Sequence, residues 1–341
     1  MRKHQGWGTS PGCVARLKRG HGRTVGAGLL GWLFFSCALP LVALGGTLRP
    51  GDFVVLSPPG FGARLVALDG TSAAASEIVS GGLLSGGTDL VVGASGEILV
   101  VVPATGIVRV SPGSGAQSIL APIGTLGDGQ PSGITVGLGG SIFVSLQSAS
   151  PRIVELSSSG EFIRVVSGGG LLQMPAGLAF GNDGALYVCE TIPYPVSAGG
   201  GIVRVDPTSG AQSAVAGGVP LIGPFHIAAA PDGTLWTVQF GSLSQRRSAC
   251  VVRTRVADGY SESMPAFECT AYGIAIRSDG TTVVGECARI HGDCGGSADL
   301  YTVMHPSGSI VWGVSGPVSV VPEGLTPSRR QTWGHLKAIY K

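Results

Sequence analysis

Pro175-Ala176-Gly177-Leu178-Ala179-Phe180, then Asn182-Asp183-Gly184-Ala185-Leu186-Tyr187-Val188, then Ile202-Val203-Arg204-Val205-Asp206-Pro207-Thr208-Ser209-Gly210, is the stretch whose reading decides the fold. An apolar strand meets an Asp-Gly turn and a second apolar strand. After a variable connection, a third strand runs into a polar turn closed by glycine. Asp-Gly supplies the backbone conformations a tight hairpin needs, so each such pair joins antiparallel neighbours. With a fourth strand after the polar turn, the unit is about 45 residues long, the size of one four-stranded blade of a β-propeller.

Further copies keep phase on both sides. Pro231-Asp232-Gly233, Ser278-Asp279-Gly280 and Ala94-Ser95-Gly96 repeat the first turn, and Leu138-Gly139-Gly140 is a degenerate version. Ile107 to Ser118 nearly duplicates Ile202 to Ser213, down to a Gly-Ala-Gln-Ser tail, and Leu300 to Gly308 is a third version. Innermost strands are expected near Thr88, Pro131, Pro175, Pro224 and Ala271, which gives five complete blades. Gly51 to Leu56 and Arg64 to Asp69 read as second and third strands of a sixth, and Pro322-Glu323-Gly324-Leu325 matches the opening Pro-x-Gly-Leu of Pro175 to Leu178. The sequence therefore predicts an all-β, six-bladed propeller over 46–326, closed by pairing the Glu323 region with Gly51 to Leu56, so that no sheet edge is left open at the seam.

Composition agrees. Among 341 residues, 58 glycines and 22 prolines with only 12% charged residues suit many turns and thin strands. A net charge of +2 without a basic run in the propeller implies neither nucleic acid nor a membrane surface as partner. Residues 327–341 read as a solvated tail. Before residue 46, basic residues from Arg2 to Arg23 precede the apolar run Val25 to Leu44, which ends in Ala43-Leu44-Gly45. That is the pattern of a signal peptide with a long basic region. The run is also long enough for an uncleaved signal anchor.

Export fits the cysteines. Beyond Cys13 and Cys37 the chain holds Cys189, Cys250, Cys269, Cys287 and Cys294, all placed toward the face that carries the between-blade loops. They read as disulfide staples in an oxidising compartment, secreted or periplasmic. Cys287 with Cys294 and Cys250 with Cys269 is the preferred pairing, with Cys189 odd; zinc is the alternative, though no CxxC pair favours it.

Gly223-Pro224-Phe225-His226-Ile227 through Trp236-Thr237-Val238-Gln239-Phe240 resembles the repeat of the streptogramin B (virginiamycin B) lyase group and the wider NHL-repeat propellers, and is similar more distantly to the senescence marker protein/gluconolactonase family. The resemblance implies a site at the mouth of the central channel that uses one divalent metal, calcium or magnesium. The lyase repeat places a polar residue at the end of the second strand, where this chain has Glu190, Gln239 and Glu286 but Val102 and Leu146. The resemblance thus implies Glu190, His226 and Glu286 as catalytic residues and Glu190, Glu286 and Glu323 as metal ligands. The lyase pattern is Pro-His-x-Ile, whereas here Phe225 separates Pro224 from His226, and strict strand alternation would turn the imidazole to the other face.

The same residues also have plain structural readings. Glu190 and Glu286 can pair with Arg246, Arg247, Arg253 or Arg289, and His291 and Asp293 fall in the Cys287 to Cys294 loop, where exposed polar residues are the rule. The Asp-Gly pairs lack the alternating acidic ligands of calcium loops and are explained by turn formation. Two functions follow. The favoured one is an exported, monomeric propeller that binds a small molecule or protein through its loop-rich face without chemistry. The other is a metal-dependent lyase or lactonase with a carboxylate or histidine as base and the metal as Lewis acid.

Overall fold

In the computed structural model the chain is described from residue 48 to 322, apart from 58–62, 73, 94, 192–199, 240–250, 265–269, 288–298, 305–309 and 313–317. For strand residues 270–271, 285–287, 299–304, 310–312 and 318 the main chain alone is described. All of these belong to one compact unit, Ala43–Lys341. The expected signal segment, residues 1–45, and the expected tail, 327–341, lie outside the described residues. Among the described residues no helix is long and apolar enough to cross a membrane.

The described strands form a β-propeller of four-stranded antiparallel sheets, six in number. From inside outward, the first sheet is Val318–Val320, Phe53–Leu56, Arg64–Leu68 and Ala75–Ser80; the second is Asp89–Val92, Ile98–Val102, Gly106–Val110 and Gln117–Pro122. The third is Gln130–Val136, Ile142–Gln147, Arg152–Leu156 and Phe162–Gly168, and the fourth is Pro175–Phe180, Leu186–Glu190, Gly201–Val205 and Gln212–Gly217. Pro224–Ala229, Thr234–Gln239, Val251–Arg255 and Ser261–Ser263 make the fifth, and Thr270–Ile276, Thr282–Cys287, Asp299–Met304 and Ile310–Trp312 the sixth.

Alternation along each strand explains how the sheets stack. In Phe53–Leu56, Val54 and Leu56 join Leu90, Ile98 and Val100 of the second sheet, while Phe53 and Val55 join Ala275 and Val283 of the sixth. Both faces of a sheet are thus covered by neighbours, which is why the second strands read as nearly continuous apolar runs. One apolar cluster fills each seam, and Leu84, Leu126, Leu172 and Leu221 anchor four of the connections between sheets at no more than 1% exposure.

The first hairpins behave as their sequence requires. Gly96, Gly140, Gly184, Gly233 and Gly280 all have φ between +74° and +84°, the region open to glycine. Asp183, Asp232 and Asp279 accept the N–H of Ala185, Thr234 and Thr281 across the turn, the role that the Asp-Gly turn requires of them. The repeated Gly-Ala-Gln-Ser tail is a clamp on the preceding sheet. A side chain at Gly210 would lie 2.2 Å from the Val166 carbonyl oxygen, and Gln212 beside it accepts the Leu171 N–H and donates to the Gly169 carbonyl. Gln117 does the same to Leu83 and Gly81.

The expected closing strand is corrected in position. Among the described residues Val318–Val320 lies beside Phe53–Leu56, with Phe53 opposite Val320 and Val55 opposite Val318. The ladder continues to Val321, whose N–H donates to the Asp52 carbonyl and whose carbonyl accepts from the Gly51 N–H. Glu323 lies outside the described residues. The physical reason is that pairing beside an apolar second strand needs only alternating extended residues, which Val318-Ser319-Val320 supply without the Pro-x-Gly-Leu signature.

Candidate functional site: the opening of the inner strands

Each inner strand begins against the end of its own second strand, so the residues expected at the mouth are placed by register. Glu190 lies opposite Pro175, Gln239 opposite Pro224 and Glu286 opposite Ala271. The Glu286 side chain is outside the described residues. Glu190 and Gln239 turn toward the segment that leads into their own inner strand. Glu190 Oε2 accepts the N–H groups of Gln173 and Met174, each at 2.8 Å, while Gln239 Oε1 accepts the Ile222 N–H at 2.7 Å and Nε2 donates to the Pro220 carbonyl at 3.0 Å. The two side chains do the same work in successive repeats.

They differ in charge. Glu190 is 3% exposed, and its Oε1 is buried without a hydrogen-bond partner. Burial pushes the Glu190 carboxyl above its ordinary value, against the two backbone N–H groups, which pull it down. Cys189, next to it, is buried in the apolar seam with Tyr187 and Leu235 as a free thiol, so it is no loop staple. Its burial, and then the negative charges of Glu190 and Asp89, raise its pKa well above the usual thiol value. Cys250, Cys269 and Cys294, and the Cys287 side chain, lie outside the described residues.

His226 departs from its expected orientation. The register between Pro224–Ala229 and Thr234–Gln239 shifts between Pro224 and His226, so Phe225 is an extra residue and simple alternation counted from Pro224 fails. His226 is buried, and its Nε2 lies 2.9 Å from Oδ1 of Asp89 in the inner strand of the second sheet. Its Nδ1 accepts the Ile274 N–H at 3.4 Å, which leaves the Nε2–H tautomer to donate to Asp89. Asp89 Oδ2 accepts the Ile134 N–H at 3.0 Å and Oδ1 also accepts the Leu90 N–H. Both imidazole nitrogens are therefore engaged.

Asp89 was not singled out by the sequence reading, yet a signal for it exists. The residue before the buried aliphatic of each inner strand is Gly133, Gly177 or Gly273 in the third, fourth and sixth sheets, but Asp89 in the second and His226 in the fifth. Glycine there permits close approach: a side chain at Gly133 would lie 2.2 Å from the Ala176 carbonyl oxygen, and one at Gly177 2.8 Å from the His226 Cα. Two bulky polar residues at a glycine position are the departure to look for.

The expected partners are also distributed differently. Arg253 pairs with Asp232 at 2.7 Å and Glu262 at 3.7 Å, not with Glu190; Arg246, Arg247, Arg289, His291 and Asp293 lie outside the described residues. Among the described residues no three His, Cys, Asp or Glu side chains come close enough to hold a metal ion. Of the residues that the resemblance implied, the side chains of Glu190 and His226 are among the described ones, and the Glu286 side chain and Glu323 are not.

No protein-family model and no curated protein sequence matches the chain. Solved structures are similar to it in fold. A chain of a nidogen–laminin complex has a TM-score of 0.61 at 13% identity, covering 79% of this chain and 98% of its own. A gluconolactonase of Xanthomonas campestris, XC5397, gives 0.52 at 13% identity over 80% and 89%, and virginiamycin B lyase of Staphylococcus aureus gives 0.50 at 16% over 84% and 89%.

Proposed function

We propose that this chain is an exported, monomeric, six-bladed propeller of NHL or lyase-like type that binds a small molecule or protein through its loop-rich face and carries out no chemistry there. The observation that supports this most directly is the engagement of the polar residues at the strand openings. Glu190 holds backbone through Oε2, Gln239 holds backbone through both amide atoms, and His226 has a partner on each nitrogen, which supports internal roles for these groups. The connections between sheets meanwhile present aliphatic side chains to water: Leu83 and Leu171 beside the buried anchors Leu84 and Leu172, and Val219 at 88% exposure.

Two-dimensional NMR of the exported protein against a mixed fragment library tests this reading. Shift changes should gather on residues 81–87, 169–174 and 218–223. Changes gathered instead on the Asp-Gly hairpins, or metal-dependent opening of a lactone or depsipeptide ester that is lost in E190Q, would refute it.

A further inference from the structure

We propose that His226 and Asp89 form a strap across the ring, which ties distant sheets through their side chains and acts as a closure separate from the terminal ladder. The two residues are 137 positions apart. They belong to the second and fifth sheets, and inner strands pack in the cyclic order Val318–Val320, Asp89–Val92, Gln130–Val136, Pro175–Phe180, Pro224–Ala229 and Thr270–Ile276, then back to the first. In that cycle the strap's ends are three places apart in either direction, so the bond spans the axis instead of joining neighbours.

Each end is fixed to a further sheet. Asp89 Oδ2 holds the Ile134 N–H of the third sheet, and His226 Nδ1 holds the Ile274 N–H of the sixth. Four inner strands therefore share one hydrogen-bond network. The side chains are 10% and 5% exposed, so water competes little for these bonds. The terminal ladder is short among the described residues: three residue pairs join Val318–Val320 to Phe53–Leu56, and Val321 adds backbone bonds with Gly51 and Asp52. A side-chain tie through the middle would resist opening of the ring at that ladder. The repeat supplies glycine at the corresponding places, so His226 and Asp89 are not needed for any single sheet to form.

Amide hydrogen exchange in the full chain reads the strap at both ends. In H226G, which restores the repeat's glycine, the Ile274 amide should exchange more than tenfold faster than in the unchanged protein. So should the Ile134 amide at the far end, while Val100 and Val144 in second strands change less. D89N keeps the shape but turns an N–H₂ toward groups that are already donors, and it should accelerate the Ile274 amide, which Asp89 does not touch. The proposal is overturned if either variant affects only the amide bonded to the changed residue, or if neither amide responds. Should H226G not fold, D89N alone decides by the response of Ile274.

Discussion

Glu190 and Gln239 show what one atom does in a repeated position. Gln239 has an oxygen for an incoming N–H and an N–H₂ for a carbonyl, whereas Glu190 meets the same kind of segment with two oxygens, one of which has no donor. Because folding raises the Glu190 pKa, its contribution to stability is fully present below a glutamate's ordinary 4.5 and is lost as pH rises through the folded value. E190Q should therefore stabilise the protein at neutral pH by about 1 kcal/mol and flatten that part of the pH profile. E190A, which strands the Gln173 and Met174 N–H groups, should cost about 1–3 kcal/mol. Thermal unfolding of the three proteins between acid and neutral pH checks both. The equivalence of Glu190 with Gln239 was legible in the sequence. What was not legible was the direction in which the side chain turns, because the backbone donors at Gln173 and Met174 precede the strand and carry no side-chain signal.

At the scale of strands and turns, local chemistry did most of the specifying. Asp183-Gly184 and Asp232-Gly233 marked their hairpins because only glycine takes φ > 0 without cost, and five inner strands begin within one residue of the expected Thr88, Pro131, Pro175, Pro224 and Ala271. The Gly-Ala-Gln-Ser tail was visible as a repeat, but its purpose was not, since Gln212 acts on the neighbouring sheet. Q212A should loosen the seam between the third and fourth sheets by about 1 kcal/mol, through the Leu171 and Gly169 bonds it removes. Leu172, 1% exposed in the same connection, should matter more: L172A leaves a cavity and should cost about 2–5 kcal/mol. Urea unfolding of the two variants gives the comparison, and equal losses would mean that the connection is not held mainly by its apolar anchor.

On the scale of the whole molecule, the sequence was least explicit where the chain meets itself. Pro322-Glu323-Gly324-Leu325 carries the motif of a strand opening, yet Val318–Val320 makes the ladder, and the bond from His226 to Asp89 joins residues that no local pattern connects. Ending the chain before Val318 should leave Phe53–Leu56 without its inner neighbour and abolish a single cooperative unfolding transition, as followed by calorimetry. The central proposal is that the polar groups at the strand openings are internal ties and not a metal centre. Calorimetric titration of the exported protein with calcium, magnesium, manganese and zinc, beside the E190Q/E286Q double variant, tests it most directly. The account predicts no saturable binding at millimolar metal that depends on those two carboxyl groups; saturable binding by the unchanged protein that disappears in a folded double variant would contradict it.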